Sequence, residues 1–163
     1  MAMAAAVIAV VGFGDWPSFG IPIQLPEDVA DRIAFVLGWM LVPALCLLNG
    51  LGAAHFQRVT NPLASDGQRE GAGQFLEIIL RYNINTLEQS FLALIVWCGL
   101  ALRLAPDDVD LIPRLAILFG IGRVLFFWGY LWTPIARVFG MGLTAYPNYA
   151  ALIWLLWQSL AAP

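Results

Sequence analysis

Lysine is absent from the 163 residues, and all eight basic side chains are arginine. Charged residues of both signs make up only 12% of the chain, about half the usual share, while hydrophobic residues make up 61%. With a mean hydropathy of +0.79, a water-soluble fold would leave too much apolar surface exposed. The arginines are too few and too scattered for a nucleic-acid surface. The single histidine, His55, stands at the end of an apolar run. The two cysteines, Cys46 and Cys98, lie in apolar runs without a CxxC partner, which excludes a metal centre and reads as small residues in helix packing. No nucleophile motif or phosphate loop is present, and Gly120-Ile121-Gly122 reads as a helix-packing feature. Residues 1–11 are apolar but have no positive n-region and are too short to span a bilayer.

What the chain does have is long apolar runs. They divide it into a segment of residues 1–27, read as an interfacial stretch and loop, and a membrane domain of residues 28–163. The fold class is all-α, an integral membrane four-helix bundle. The first span is expected from Asp28 to Phe56, kinked at Pro43, with Cys46, Gly50 and Ala54 as a small-residue stripe for close helix contact. A polar loop follows over residues 57–73. The second span is expected over Gln74–Leu104, then an acidic turn at Ala105-Pro106-Asp107-Asp108. The third is expected over Ile112–Phe139, interrupted at Pro134, then a turn over Gly140–Pro147 and a short fourth span over Asn148–Ala161. Arg58, Arg69, Arg81 and Arg137 fall on the side of the loops after spans one and three; Arg32, Arg103 and Arg114 fall on the other. The positive-inside rule then makes those loops cytoplasmic and both termini periplasmic.

The chemistry concentrates on spans two and three. Glu77, Arg81, Asn85 and Glu88 recur at intervals of four and three, so they share one helix face. Arg123, Tyr130 and Arg137 recur at intervals of seven on the next span, with Phe126 and Thr133 on the same face. Equal depth at the intervening turn sets Asn85 level with Tyr130 and Glu88 level with Phe127. Arg123 lies about 18 Å down its helix, where an unpaired guanidinium is expensive. Glu88 is the nearest acid, so a structural ion pair between Glu88 and Arg123 is expected. Arg81 and Arg137 lie near the membrane surface, where converging guanidinium groups clamp a carboxylate bidentately. The stripe therefore reads as an anionic ligand site. A plain packing seam is the alternative. At Pro134 the lost N–H reads as an ordinary helix end, or as a kink that opens the pocket mouth.

At these residues the chain resembles the MAPEG family, the membrane-associated proteins in eicosanoid and glutathione metabolism. The matching motifs are Arg81-x-x-x-Asn85-x-x-Glu88, then Gly122-Arg123, Gly129-Tyr130 and Arg137; Asn85-Thr86-Leu87-Glu88-Gln89 looks like bacterial members. The resemblance implies a homotrimer with active sites between subunits, near the cytoplasmic face. It implies that Arg81, Asn85, Glu88 and Tyr130 hold glutathione as cosubstrate. It also implies that Asn83 takes a position where a Gln reaches in from the neighbouring subunit, and that Arg137 stabilises the thiolate. Two positions depart from the pattern. Ala53-Ala54-His55 stands where the leukotriene synthase branch has arginines, and Phe126 stands where a tyrosine is often found.

The reading that follows is a membrane glutathione transferase or peroxidase acting on lipophilic electrophiles or hydroperoxides, in a bacterial inner membrane. The alternatives are a non-catalytic lipid-binding protein and a structural subunit among other integral membrane subunits.

Overall fold

The computed structural model describes residues 28–62, 73–105, 108, 110–133 and 135–161. The N-terminal segment, most of the first polar loop with Arg69, and Pro134 lie outside the described residues. The elements are helices α1 (Val29–Trp39), α2 (Leu41–Thr60), α3 (Gln74–Arg103), α4 (Leu111–Trp132) and α5 (Ala136–Ala161).

Helices α1 and α2 form one bent rod. Pro43 has no N–H to offer the carbonyl of Trp39, so the ladder fails there. Met40 stays in the α region (φ −66°, ψ −12°), with its N–H bonded to Val36 O at 2.9 Å and its carbonyl accepting from Ala44 N at 3.1 Å. The rod therefore bends without ending. Helix α3 starts after Gly73, whose φ of +85° is the only positive one among the described residues. It runs uninterrupted for 30 residues to Leu104, which is extended (φ −68°, ψ 143°). Helix α4 stops at Trp132, and Thr133 is extended (φ −150°, ψ 150°). Thr133 precedes Pro134 in the sequence, and the residue before a proline is driven out of the α region.

Residues 29–60, 74–103 and 111–132 are each long and apolar enough to cross a membrane, since a crossing takes about 20 residues. Helix α5, of 26 residues, completes the bundle. Large apolar side chains stay exposed on every outer face, among them Leu41, Leu48, Phe91, Trp128, Trp157 and Leu160. In a protein with this composition such faces belong in lipid.

The main core lies toward the end that holds the N-terminus of α1 and the C-terminus of α3. There Val36, Trp97, Leu100, Ile112, Ala116 and Phe119 are fully buried, or nearly so. Arg32 fastens this end by donating to Ala101 O (3.0 Å) and Leu104 O (3.4 Å), in the last turn of α3 and at its C-cap. Those are carbonyls that a helix end leaves without internal donors. Two close approaches fix the rest. A Cβ on Gly50 of α2 would meet Asn83 Oδ1 at 1.9 Å and the Tyr82 ring at 2.8 Å on α3. A Cβ on Gly140 of α5 would meet the backbone N of Phe126 at 2.3 Å and Gly122 O at 2.6 Å on α4.

Two expectations need correction. The expected third span does not continue to Phe139: α4 ends at Trp132, and Arg137 stands in the first turn of the next helix, α5. The expected turn over Gly140–Pro147 is helical. Gly140 is there to let α5 touch the backbone of α4, and Pro147 is carried inside the helix at the cost of one ladder bond. The kink expected at Pro43 falls where the helix is interrupted at Met40.

Candidate functional site

The polar residues of the bundle form a string across α3, α4 and α5. At its centre is Arg123, fully buried. One terminal nitrogen donates to Asn85 Oδ1 of α3 at 2.8 Å, and the other donates to the Thr144 hydroxyl of α5. Thr144 in turn donates to Met141 O at 2.9 Å. The guanidinium carbon lies 4.6 Å from the ring centre of Phe126 and 5.5 Å from that of Phe119. Aromatic faces offer a cation partial compensation away from water.

From Phe126 the string continues to the C-terminal end of α4. Phe126 meets Tyr130 edge-on at 5.0 Å between ring centres. The Arg137 guanidinium sits 4.7 Å over the Tyr130 ring. Tyr130 is in the last turn of α4 and Arg137 in the first turn of α5, so the short connection between the two helices brings them together. Tyr82 of α3 packs against Phe126 (6.2 Å) and Phe127 (5.5 Å), and its hydroxyl donates to Cys46 O of α2 at 3.3 Å.

The other end of the string runs into the core. Thr144 O accepts from Asn148 Nδ2 at 2.9 Å, and Asn148 Oδ1 accepts from the buried indole of Trp97 at 2.9 Å. The sequence reading passed over Thr144 and Asn148. Their i, i+4 spacing marks one helix face, but they fell at the seam of an assumed turn and the start of the fourth span.

The structure brings Asn85, Arg123, Tyr130 and Arg137 into this one string. It places the other expected residues differently. Arg81 is exposed and pairs with Glu77 one turn earlier at 2.5 Å, both side chains more than half exposed. Glu88 is also exposed. The expected ion pair between Glu88 and Arg123 is not formed within the chain. Helix α3 turns Asn85, not Glu88, toward α4, and Arg123 takes two neutral acceptors instead. Asn83 is buried within the protomer, beside Gly50. Ala54 is core, packed with Leu76 and Ile79. No cluster of His, Cys, Asp and Glu able to hold a metal occurs among the described residues.

Apolar spans around a buried polar string define an integral membrane helical bundle. The model of the MAPEG family matches residues 33–161, most of the chain, and the protein belongs to that family. No curated protein and no solved structure matches it.

Proposed function

We propose that this protein is a membrane glutathione transferase or peroxidase in which Arg137 stabilises the glutathione thiolate. The observation that carries the reading is the Arg137 guanidinium stacked 4.7 Å over Tyr130. A guanidinium held over a ring keeps N–H groups for an anion, and no carboxylate pairs with Arg137 among the described residues. Arg137 also stands in the first turn of a 26-residue helix. A cation there opposes the helix macrodipole, so it adds nothing to helix stability. The same placement sums two positive potentials, which lowers the pKa of a bound thiol and raises its thiolate fraction.

In conjugation, the thiolate sulfur bonds to an electrophilic carbon and the leaving group departs with the electron pair. With a hydroperoxide, sulfur attacks the outer oxygen, the O–O bond breaks, and an alcohol leaves after protonation. A second glutathione then converts the sulfenic acid to the disulfide and water. The substrates are lipophilic, arriving from the bilayer.

Arg81, Asn85, Glu88 and Tyr130 would hold the tripeptide. Asn85 gives its carbonyl oxygen to Arg123, which leaves its amide N–H groups to donate to a ligand carboxylate. Arg81 and Glu88 face outward from the protomer. Glu88 is about 21 Å along its helix, a depth at which a carboxylate facing lipid is expensive. That favours a site covered by a neighbouring protomer, in a homotrimer. In the proposed orientation the 133–135 turn is cytoplasmic, and residues 28 and 161 lie toward the periplasm of a bacterial inner membrane.

The test is glutathione-dependent conjugation of chlorodinitrobenzene by purified protein. Arg137→Ala is expected to lower kcat about 100-fold, the scale of removing one donor to a developing anion. An unchanged rate overturns the mechanism. Stabilisation by fatty acids with no turnover would favour the lipid-binding alternative.

A further inference from the structure

Phe126 is buried, 3% exposed, in the middle of the string. The Arg123 guanidinium, one turn earlier on α4, lies 4.6 Å from its ring centre. The Tyr82 ring of α3 lies 6.2 Å away. Tyr130, one turn later on α4, meets it at 5.0 Å with an interplanar angle of 85°. The backbone of Phe126 is held as well. Gly140 of α5 comes so close that a Cβ there would meet Phe126 N at 2.3 Å and Cα at 2.7 Å. Gly140 follows Arg137 by about one turn of the same helix.

Tyr130 is less well fixed. It is half-buried and stands two residues before the end of α4, and helix ends fray. A cation over a ring is a weak tie, so it holds Arg137 only as firmly as the ring is held. Among the described residues the aromatic neighbour of Tyr130 is Phe126, and rings at a near right angle are a favoured pair. The ring under Arg137 is thus braced by a residue clamped between α3 and α5. Phe126 has no polar side-chain atom, so it acts on a bound anion only through its neighbours.

We propose that Phe126 is a positioning residue: it braces the Tyr130 ring, and that ring seats the Arg137 guanidinium. The brace rests on the geometry alone; its effect on turnover rests on the thiolate reading above.

The experiment uses the full-length protein in detergent micelles with isotope-labelled arginine. A ring beneath the Arg137 side chain shifts its δ-methylene resonance upfield, and Arg137→Lys identifies the signal. The unaltered protein is expected to show this shift. In Phe126→Leu the signal is expected to move back towards that of an arginine away from any ring. Phe119→Leu is the control, for it removes the other ring beside Arg123 and leaves the brace on Tyr130. The signal is expected to stay in place there, and in Phe126→Tyr, which keeps the ring. No upfield shift in the unaltered protein, an unmoved signal in Phe126→Leu, or an equal loss in Phe119→Leu or Phe126→Tyr overturns the proposal. If Phe126→Leu does not fold, Phe126→Met fills more of the volume without a ring and takes its place.

Conjugation of chlorodinitrobenzene gives the second reading. In Phe126→Leu, kcat is expected to fall about tenfold with KM for glutathione little changed, as for a misplaced group. The rising limb of the pH profile should move to higher pH, because a displaced cation lowers the thiol pKa less. An unchanged kcat and profile beside a lost resonance shift removes Phe126 from the reaction. If the unaltered protein does not turn over glutathione, the proposed reaction fails and the resonance still decides the brace.

Discussion

Arg123 of α4 donates to Asn85 of α3 at 2.8 Å, deep in the bundle, and its charge is met by two neutral oxygens and two aromatic rings. The pairing sets the depth at which the two helices meet. It also makes the guanidinium the point through which α3, α4 and α5 are tied.

Removing one of its acceptors strands a charge. Thr144→Val is expected to cost about 1–3 kcal/mol, the range for a buried donor left without its partner. Arg123→Ala removes the charge but opens a cavity, and is expected to cost about 2–5 kcal/mol. Thermal unfolding in detergent checks both. A Thr144→Val protein as stable as its parent would show that the bond to Thr144 does not hold the helices.

Glycines in this chain divide by what surrounds them. Gly140→Ala drives a methyl into the backbone of Phe126 and Gly122, so α4 and α5 must separate. A loss of about 1–3 kcal/mol is expected, as for other overpacked contacts. Gly38→Ala meets nothing within 4 Å and lies inside a helix. It is expected to stabilise by about 0.5–1 kcal/mol. The pair of unfolding curves should move in opposite directions.

The Trp97–Asn148 bond joins α3 to α5 inside the core. Asn148→Leu leaves the indole N–H without an acceptor, at about 1–3 kcal/mol. In a double-mutant cycle with Trp97→Phe, which removes the same N–H, the second substitution should cost less in the Asn148→Leu background. Additive losses would argue against the bond.

Glu88 offers a contrast, because it is exposed and holds no partner inside the protomer. Glu88→Gln should leave the melting temperature of the unliganded protein nearly unchanged. It should raise the glutathione Kd by about tenfold, corresponding to about 1.4 kcal/mol. Calorimetric titration reads this directly; equal affinities would remove Glu88 from the site.

Much of this architecture was legible from spacing. Helix α3 occupies the span expected from its apolar run, and the bend after Trp39 follows from Pro43. Asn85 and Arg123 share a contact, as the matching stripes on neighbouring helices suggested. The detail of that contact was not legible. Equal depth at the connecting turn set Asn85 against Tyr130, yet it bonds to Arg123, about two turns away. Near the turn the estimate was sound, for Trp97 and Phe119 lie 6.3 Å apart between ring centres. Farther along the pairing slips, for Tyr82 meets Phe126 and Phe127 and not Thr133, and how two helices pack along their length comes from side-chain packing that one sequence does not display. The start of α5 was missed for a different reason. Gly140, Gly142 and Pro147 are the residues of turns, but in a membrane helix a glycine also permits backbone contact, and only the partner Gly122 distinguishes the two uses.

The short connection between α4 and α5 has a mechanical consequence. It couples Tyr130 and Arg137 over so short a length of chain that neither can be carried off alone when the helices tilt. The spacing of that pair is built into a hairpin and travels with it, whereas Arg81 and Glu88 belong to a separate rod, α3. Motion of the bundle would therefore widen or narrow the gap between α3 and the hairpin while leaving the guanidinium seated on its ring.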